Sequence, residues 1–461
     1  MVFRGALDRW GRRTLLRFRG RVDRYKLVRR RETCAELLRD PEVAGAIAGH
    51  ARAHGLPEAE VSKRVEAYVE EIVPNFNVLS YYKLGYNVSR LLINAFYKPA
   101  VEYQDAAALN RIPRRDVVVY LMNHRSNADY VVVTYVLARV VSISYAVGEW
   151  ARTWPLEYVF KSFGSYFVRR RYREPLYHTV LERYVQLITR NRVTQGIFPE
   201  GGLTRDGTLR PAKLGLLDYI VRTLRDPAFD GDLWLVPVGL NYDRVFEDRT
   251  LIRELVVGVE RPSRLRQAFR LAGFAGGNLL RLLTFQLRRY GRVAVAFGSP
   301  ISVRAWLAGE PDGLLDLPRH ERLPRIQRLG ELAMARIGAV IPVTPVCLGA
   351  AALLTFPGSV VPAARLPDRL EELREALIAA SAVLVHGELP AEEIWDRAWR
   401  TFRMRGLVVW DGAGYVILPS GRPLLQYYAN AIRHLLPEET KTHWSPAAED
   451  DPSMPRLAAQ A

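Results

Sequence analysis

The sequence predicts an α/β fold, a mixed and mostly parallel sheet flanked by helices, with helical units before and after it. Three observations predict it. Between residues 99 and 305, short β-branched runs alternate with helical patterns, the texture of strands joined by helical crossovers. Residues 32–97 and 322–404 instead space their apolar side chains at helical intervals. At 461 residues, 49% apolar and 25% charged, the chain is globular in composition and long enough for two or three packed units.

Residues 1–98 read as a basic, helical N-terminal region. Its first 31 residues hold twelve Arg or Lys against two Asp, a net +10 out of +17 for the whole chain. Basic residues run through the place where the apolar stretch of a signal peptide would lie, so export is not expected. Interleaved Trp10, Leu15, Leu16, Phe18, Val22 and Leu27 suit the apolar side of an interfacial helix. Such a helix would lie on an anionic membrane at about 1 kcal/mol per basic residue near the surface. "AELLRDPEVAGAIAGHARAHG" then predicts short amphipathic turns, and "NVLSYYKLGYNVSRLLINAFY" a longer aromatic helix.

Within 99–305, "DVVVYLM", "SISYAVG", "QGIFPE", "DLWLVPVGLNY" and "GRVAVAFGSPISV" read as strands. Residues 306–444 form a helical C-terminal unit that ends in a hairpin, "GLVVWDGAGYVILP", turning at Asp411-Gly412, and a last helix, "GRPLLQYYANAIRHLLP". The uncharged stretch 339–356 could be mistaken for a membrane span. Pro342 and Pro345 near its front favour a buried helix with an extended lead-in. Residues 445–461 are polar and Pro-bearing, and disorder is expected there. Cys34 and Cys347 each lack a second Cys or His at ligand spacing, which argues against a disulfide framework or a structural metal.

Chemistry concentrates in "NHRSNADY". The strand before it should end near Asn123, with Ser126 capping the following helix, so His124 and Asp129 meet at a strand-to-helix corner. A carboxylate on one imidazole nitrogen would leave the other to take a proton, the logic of a base and its orienter. The simpler alternative is that Asp129 completes a capping box with Ser126 and His124 is a loop histidine. Further on, "GSYFVRRRYREPLY" delivers Arg169 and Arg170, whose planar forks suit phosphate, although a strand points the two to opposite faces. "IFPEGGLTRDGTLRPAKLG" places Glu200, Gly201, Gly202 and Thr204 in a tight turn with Arg205 and Lys213 around it, a loop able to hold an oxyanion or phosphate. "WLVPVGLNYDRVFED" reads as core or as the wall of an acyl groove. No Walker loop, GxSxG elbow, GxGxxG fingerprint or HExxH occurs.

In this order, "NHRSNADY", "GSYFVRR", "FPEGGLTRDGTLRPAKLG" and "VPVGLNY" resemble the four blocks of the glycerolipid acyltransferase superfamily, whose hallmark is His-x4-Asp. The closest likeness is to glycerol-3-phosphate acyltransferases of the bacterial PlsB and mitochondrial type, over roughly residues 75–437. The resemblance implies that His124 deprotonates the sn-1 hydroxyl of glycerol 3-phosphate and that Asp129 orients it. It implies an acyl-CoA or acyl carrier protein thioester as donor and no metal or redox cofactor. Arg169, Arg205, Lys213 and Arg170 look like the phosphate set, and Glu200, Gly201, Gly202 and Thr204 like the acceptor loop. A peripheral place on the cytoplasmic face of the inner membrane is expected, with no nucleic-acid partner. Asn127 and Ala128 replace the His-Met of the enterobacterial "HRSHMDY". Dihydroxyacetone-phosphate and lysophosphatidate acyltransferases remain alternatives, as does a winged-helix nucleic-acid binder with an inactive core.

Overall fold

The computed structural model describes residues 30–76, 86–137, 143–148, 157, 160–161, 164–169, 172–254 and 290–441. Nearly all of the basic segment 1–31, the tail 445–461 and Arg170 lie outside the described residues.

The sheet is α/β as predicted. Its strands are β1 (Lys98–Tyr103), β2 (Val117–Met122), β3 (Ser144–Gly148), β4 (Tyr166–Val168), β5 (Gln195–Ile197), β6 (Leu233–Tyr242), β7 (Arg292–Phe297) and β8 (Ile301–Ser302). They lie in the order β1-β7-β6-β2-β5-β3-β4, with β8 beside β6. The β2-β6, β2-β5, β3-β5, β3-β4 and β1-β7 pairs are parallel, whereas β7 and β8 run antiparallel to β6. All six residues of β2 are buried, as a central strand covered on both faces requires.

Alternate residues of β2 enter different cores. Val118, Tyr120 and Met122 pack with the C-terminal helices Pro345–Leu354, Ala391–Arg405 and Arg422–Asn430. Val117, Val119 and Leu121 pack with the N-terminal helices and with Pro175–Arg190 and Arg319–Ala339. The two helical units therefore cover opposite faces of one sheet. Every residue of Pro345–Leu354 is buried, so the uncharged stretch is a core helix. No described helix is long and apolar enough to cross a membrane.

The hairpin forms as β10 (Val408–Trp410) and β11 (Gly414–Ile417), with Asp411 Oδ1 accepting the amides of Ala413 and Gly414 in the turn. Two strands were not foreseen. β1, "KPAVEY", hides its character behind Lys98 and Pro99, residues that an edge strand tolerates. β9 (Val360–Pro362), three residues within a helical region, adds itself to β11.

The parallel arrangement fixes where chemistry can gather. The carboxyl ends of β2, β5, β3, β4 and β6 all open on one edge of the sheet, the edge at which open α/β sheets bind ligands. His124 follows β2, Glu200 follows β5, Arg169 follows β4, and Tyr242 ends β6.

Candidate active site

At the end of β2 the Asn123 side chain substitutes for backbone: Nδ2 donates to Leu240 O at 2.9 Å and Oδ1 accepts Leu240 N at 2.7 Å. The strand end is thereby pinned to β6, and the next residue, His124, starts from a rigid point. Ser126 Oγ accepts Ala128 N at 3.0 Å and starts the helix Asp129–Leu137.

Asp129 serves both of the roles that the sequence left open. Its Oδ2 lies 2.9 Å from His124 Nδ1 and also accepts the amides of Arg125 at 2.8 Å and Ser126 at 3.0 Å. Its Oδ1 accepts the Tyr242 hydroxyl. The capping box and the imidazole contact thus share one oxygen. A carboxylate ringed by donors on both oxygens acts as an acceptor, which puts the proton of His124 on Nδ1 and leaves Nε2 as the atom able to take another. Phe198 stacks on the imidazole at 4.1 Å between centroids, and Tyr130 meets it edge-on at 5.6 Å. The ring is 1% exposed, so it sits enclosed rather than beside an open cleft.

The backbone of His124 is held as firmly as its ring. Glu200 Oε1 accepts its N–H at 2.7 Å, while Oε2 accepts Arg210 N at 3.0 Å. Thr204 N donates to His124 O at 3.0 Å. Burial pushes the Glu200 carboxyl up to about 7, against the downward pull of those two amides and of nearby Arg125 and Arg210. Glu200 therefore works as a clamp, with both oxygens committed to backbone amides.

Gly201 adopts φ +69°, and a Cβ there would stand 2.9 Å from Lys213 Cγ, so the turn needs glycine. Lys213 N donates to Pro199 O at 2.7 Å, closing the loop that contains Gly201 and Gly202. Thr204 Oγ1 accepts Gly207 N at 3.1 Å and reaches Thr208 O at 2.7 Å, so its hydroxyl shapes the following turn.

The cations disperse. Arg169 directs Nε to Glu71 Oε1 at 2.7 Å and Nη2 to Glu71 Oε2, and its guanidinium lies 4.8 Å from the Tyr172 ring. Three strand spacings separate β4 from β2, roughly 14 Å, so the Arg169 fork is engaged by helix Glu58–Ile72 away from His124. Arg205 Nε pairs with Glu254 at 3.1 Å, both half-exposed. Lys213 is exposed, with no ion-pair partner among the described residues.

Two contributors escaped the sequence reading. Tyr242 lies in a stretch that reads as core or as the wall of an acyl groove, and Glu247, which accepts Ser126 Oγ at 2.7 Å and Asn127 N at 3.2 Å, carries no signal of its own in the sequence. The available signal was position: both follow from β6, the parallel neighbour of β2.

The arrangement can hold an imidazole in one tautomer, with Nε2 the nitrogen able to take a proton. Residues 106–241 match a family described as acyltransferase, and residues 277–440 one described as the glycerol-3-phosphate acyltransferase C-terminal region. Among curated relatives, the glycerol-3-phosphate acyltransferase of Aeromonas hydrophila is 28% identical over 424 residues, 89% of this chain and 50% of that protein. The one from Actinobacillus succinogenes is 26% identical over 423 residues, with the same coverage. The chain spans about half the length of these relatives. Among solved structures, the 1-acyl-sn-glycerophosphate acyltransferase of Thermotoga maritima is 15% identical, with a TM-score of 0.32 over 56% of this chain and 79% of that one, a likeness too slight to argue from. By its two family matches and its relatives, the chain is similar to glycerol-3-phosphate acyltransferases over most of its length.

Proposed function

We propose that the protein transfers a fatty acyl group from a thioester, acyl-CoA or acyl carrier protein, to the sn-1 hydroxyl of glycerol 3-phosphate. His124 Nε2 takes the hydroxyl proton as the oxygen attacks the thioester carbonyl, and the C–S bond breaks. The thiolate leaves with that proton, giving 1-acyl-sn-glycerol 3-phosphate. The observation that carries this reading is the 2.9 Å contact of His124 Nδ1 with an Asp129 ringed by donors, at the carboxyl edge of the sheet. Asp129 orients the ring, and Glu200, Gly201, Gly202 and Thr204 build the acceptor loop.

Arg205 and Lys213, on the exposed side of that loop, are the better-placed phosphate ligands. Arg169 and Arg170 are proposed as secondary members of the set, Arg169 after exchange of its Glu71 partner. The basic N-terminus supports peripheral attachment to an anionic membrane surface on the cytoplasmic side. The test is thiol release from acyl-CoA with glycerol 3-phosphate, dihydroxyacetone phosphate and lysophosphatidate offered in turn. Release stimulated chiefly by glycerol 3-phosphate is expected, and preference for either other acceptor contradicts the assignment.

A further inference from the structure

Between His124 and Asp129 the chain makes a short loop whose crest is held from outside by Glu247. Its Oε2 accepts the Ser126 hydroxyl at 2.7 Å, and its Oε1 accepts Asn127 N at 3.2 Å. With its proton given to Glu247, Ser126 Oγ keeps a lone pair for Ala128 N at 3.0 Å, the cap of the helix that begins at Asp129. The carboxylate therefore shapes the loop on which the 2.9 Å contact of His124 with Asp129 depends.

Glu247 is fixed in turn from the C-terminal helical unit. It stands just beyond β6, in the turn 245–248, and the hydroxyl of Tyr428 ties both ends of that turn. Tyr428 Oη accepts Val245 N at 3.1 Å and donates to Asp248 Oδ2 at 2.5 Å. Arg405 Nη1 donates to the same hydroxyl at 3.0 Å and lies 2.7 Å from Asp248 Oδ2, the Arg405 and Asp248 side chains each being 4% exposed. Tyr428 thus uses its one donor and accepts twice, which fixes its hydroxyl in one orientation. Parting the buried ion pair would leave a charge uncompensated, so the turn resists displacement. Arg405 ends helix Ala391–Arg405, and Tyr428 lies in helix Arg422–Asn430. Two C-terminal helices converge on the turn that carries Glu247.

We propose that Tyr428 and Glu247 are positioning residues for the reaction: Tyr428 fixes the turn, Glu247 fixes the loop, and the loop holds His124 on Asp129 in one orientation. By this account the C-terminal unit does more than cover a face of the sheet. It completes the support of the imidazole.

The inference rests on the acyltransferase reading for its kinetic part alone. Full-length wild type, E247A, E247Q, Y428F and the double variant E247A/Y428F are labelled with 15N in the histidine rings, and the signals missing from H124A identify His124. At about pH 9, above the range in which a free imidazole takes a proton, the wild-type ring should carry its proton on Nδ1. In E247A the two nitrogen signals should draw together, the mark of mixed tautomers. In E247Q, whose amide keeps an oxygen for Asn127 N, they should return most of the way. In thiol release with acyl-CoA and glycerol 3-phosphate, kcat should fall about tenfold in E247A and about threefold in Y428F, with KM for both substrates nearly constant. Because Tyr428 acts through Glu247, the double variant should fall no further than E247A, whereas independent losses would multiply. An unmoved His124 ring or an unmoved kcat in folded E247A, or multiplied losses in the double variant, overturns the proposal. Should E247A not fold, Y428F, which removes only a hydroxyl oxygen, is read alone: a shifted ring is expected, and an unmoved one overturns it. A wild type that releases no thiol with any acceptor removes the acyltransferase reading and leaves the ring signals to decide this one.

Discussion

The Tyr242 hydroxyl, at the carboxyl end of β6, donates to Oδ1 of Asp129, whose other oxygen holds His124 Nδ1 at 2.9 Å. The imidazole is thus steadied from a second strand, through a chain of buried groups. Tyr242→Phe leaves Oδ1 without that donor and should cost about 1.5–3 kcal/mol of stability, the range for hydrogen bonds to charged groups. It should also lower kcat about tenfold while KM for both substrates stays nearly constant. Denaturant unfolding and steady-state kinetics on one preparation check both.

Asp129→Asn should lose at least ~100-fold in kcat, because the amide can no longer accept on every side and the tautomer of His124 is released. Near-UV circular dichroism separates this from collapse of the corner. A folded variant with wild-type turnover would remove Asp129 from the mechanism.

Glu200 predicts a stability slope. Its carboxyl, at 4.5 when unperturbed, is pushed up to about 7, so the folded protein keeps a proton that the unfolded chain has lost. Stability should therefore fall as pH rises from about 4.5 to about 7, by roughly 3 kcal/mol from this group. Glu200→Gln should flatten that part of the curve. The check is urea unfolding of both proteins at about pH 5 and about pH 8.

Arg169 and Arg205 should separate. Arg169→Ala removes the guanidinium that both Glu71 oxygens accept and should loosen helix Glu58–Ile72, seen as a lower melting temperature, with a small change in KM for glycerol 3-phosphate. Arg205→Ala, whose ion pair is half-exposed, should leave melting nearly unchanged and raise that KM more than the KM for acyl donor. The reverse pattern would exchange their roles.

Deleting residues 1–31 should weaken binding to vesicles of anionic lipid, most at low salt, where twelve basic side chains act with least screening. Flotation against neutral vesicles supplies the control. Equal binding by the truncated chain would move the membrane contact elsewhere.

The sheet was legible where burial on both faces writes an unbroken apolar run, as in "VVVYLM" and "LVPVGLNY". β1 was not, because an edge strand is free to carry Lys98, Pro99 and Glu102. At the site, the spacing of His124 and Asp129 across a strand-to-helix corner could be read from local geometry. The partners that complete it could not. Tyr242 lies 113 residues from Asp129, Tyr427 lies 302 from Arg125, and long-range closure of this kind leaves no local pattern. Arg169 shows the opposite failure: its residue type suits phosphate, yet an equally suitable carboxylate, Glu71, arrives from 98 residues away.

The central claim is that His124 takes the proton from an acceptor hydroxyl. It is tested most directly by thiol release from acyl-CoA, measured with and without glycerol 3-phosphate for wild type and His124→Ala. The account predicts release that depends on glycerol 3-phosphate in the wild type and falls at least ~100-fold in the variant. Turnover by a folded His124→Ala at near the wild-type rate would contradict it.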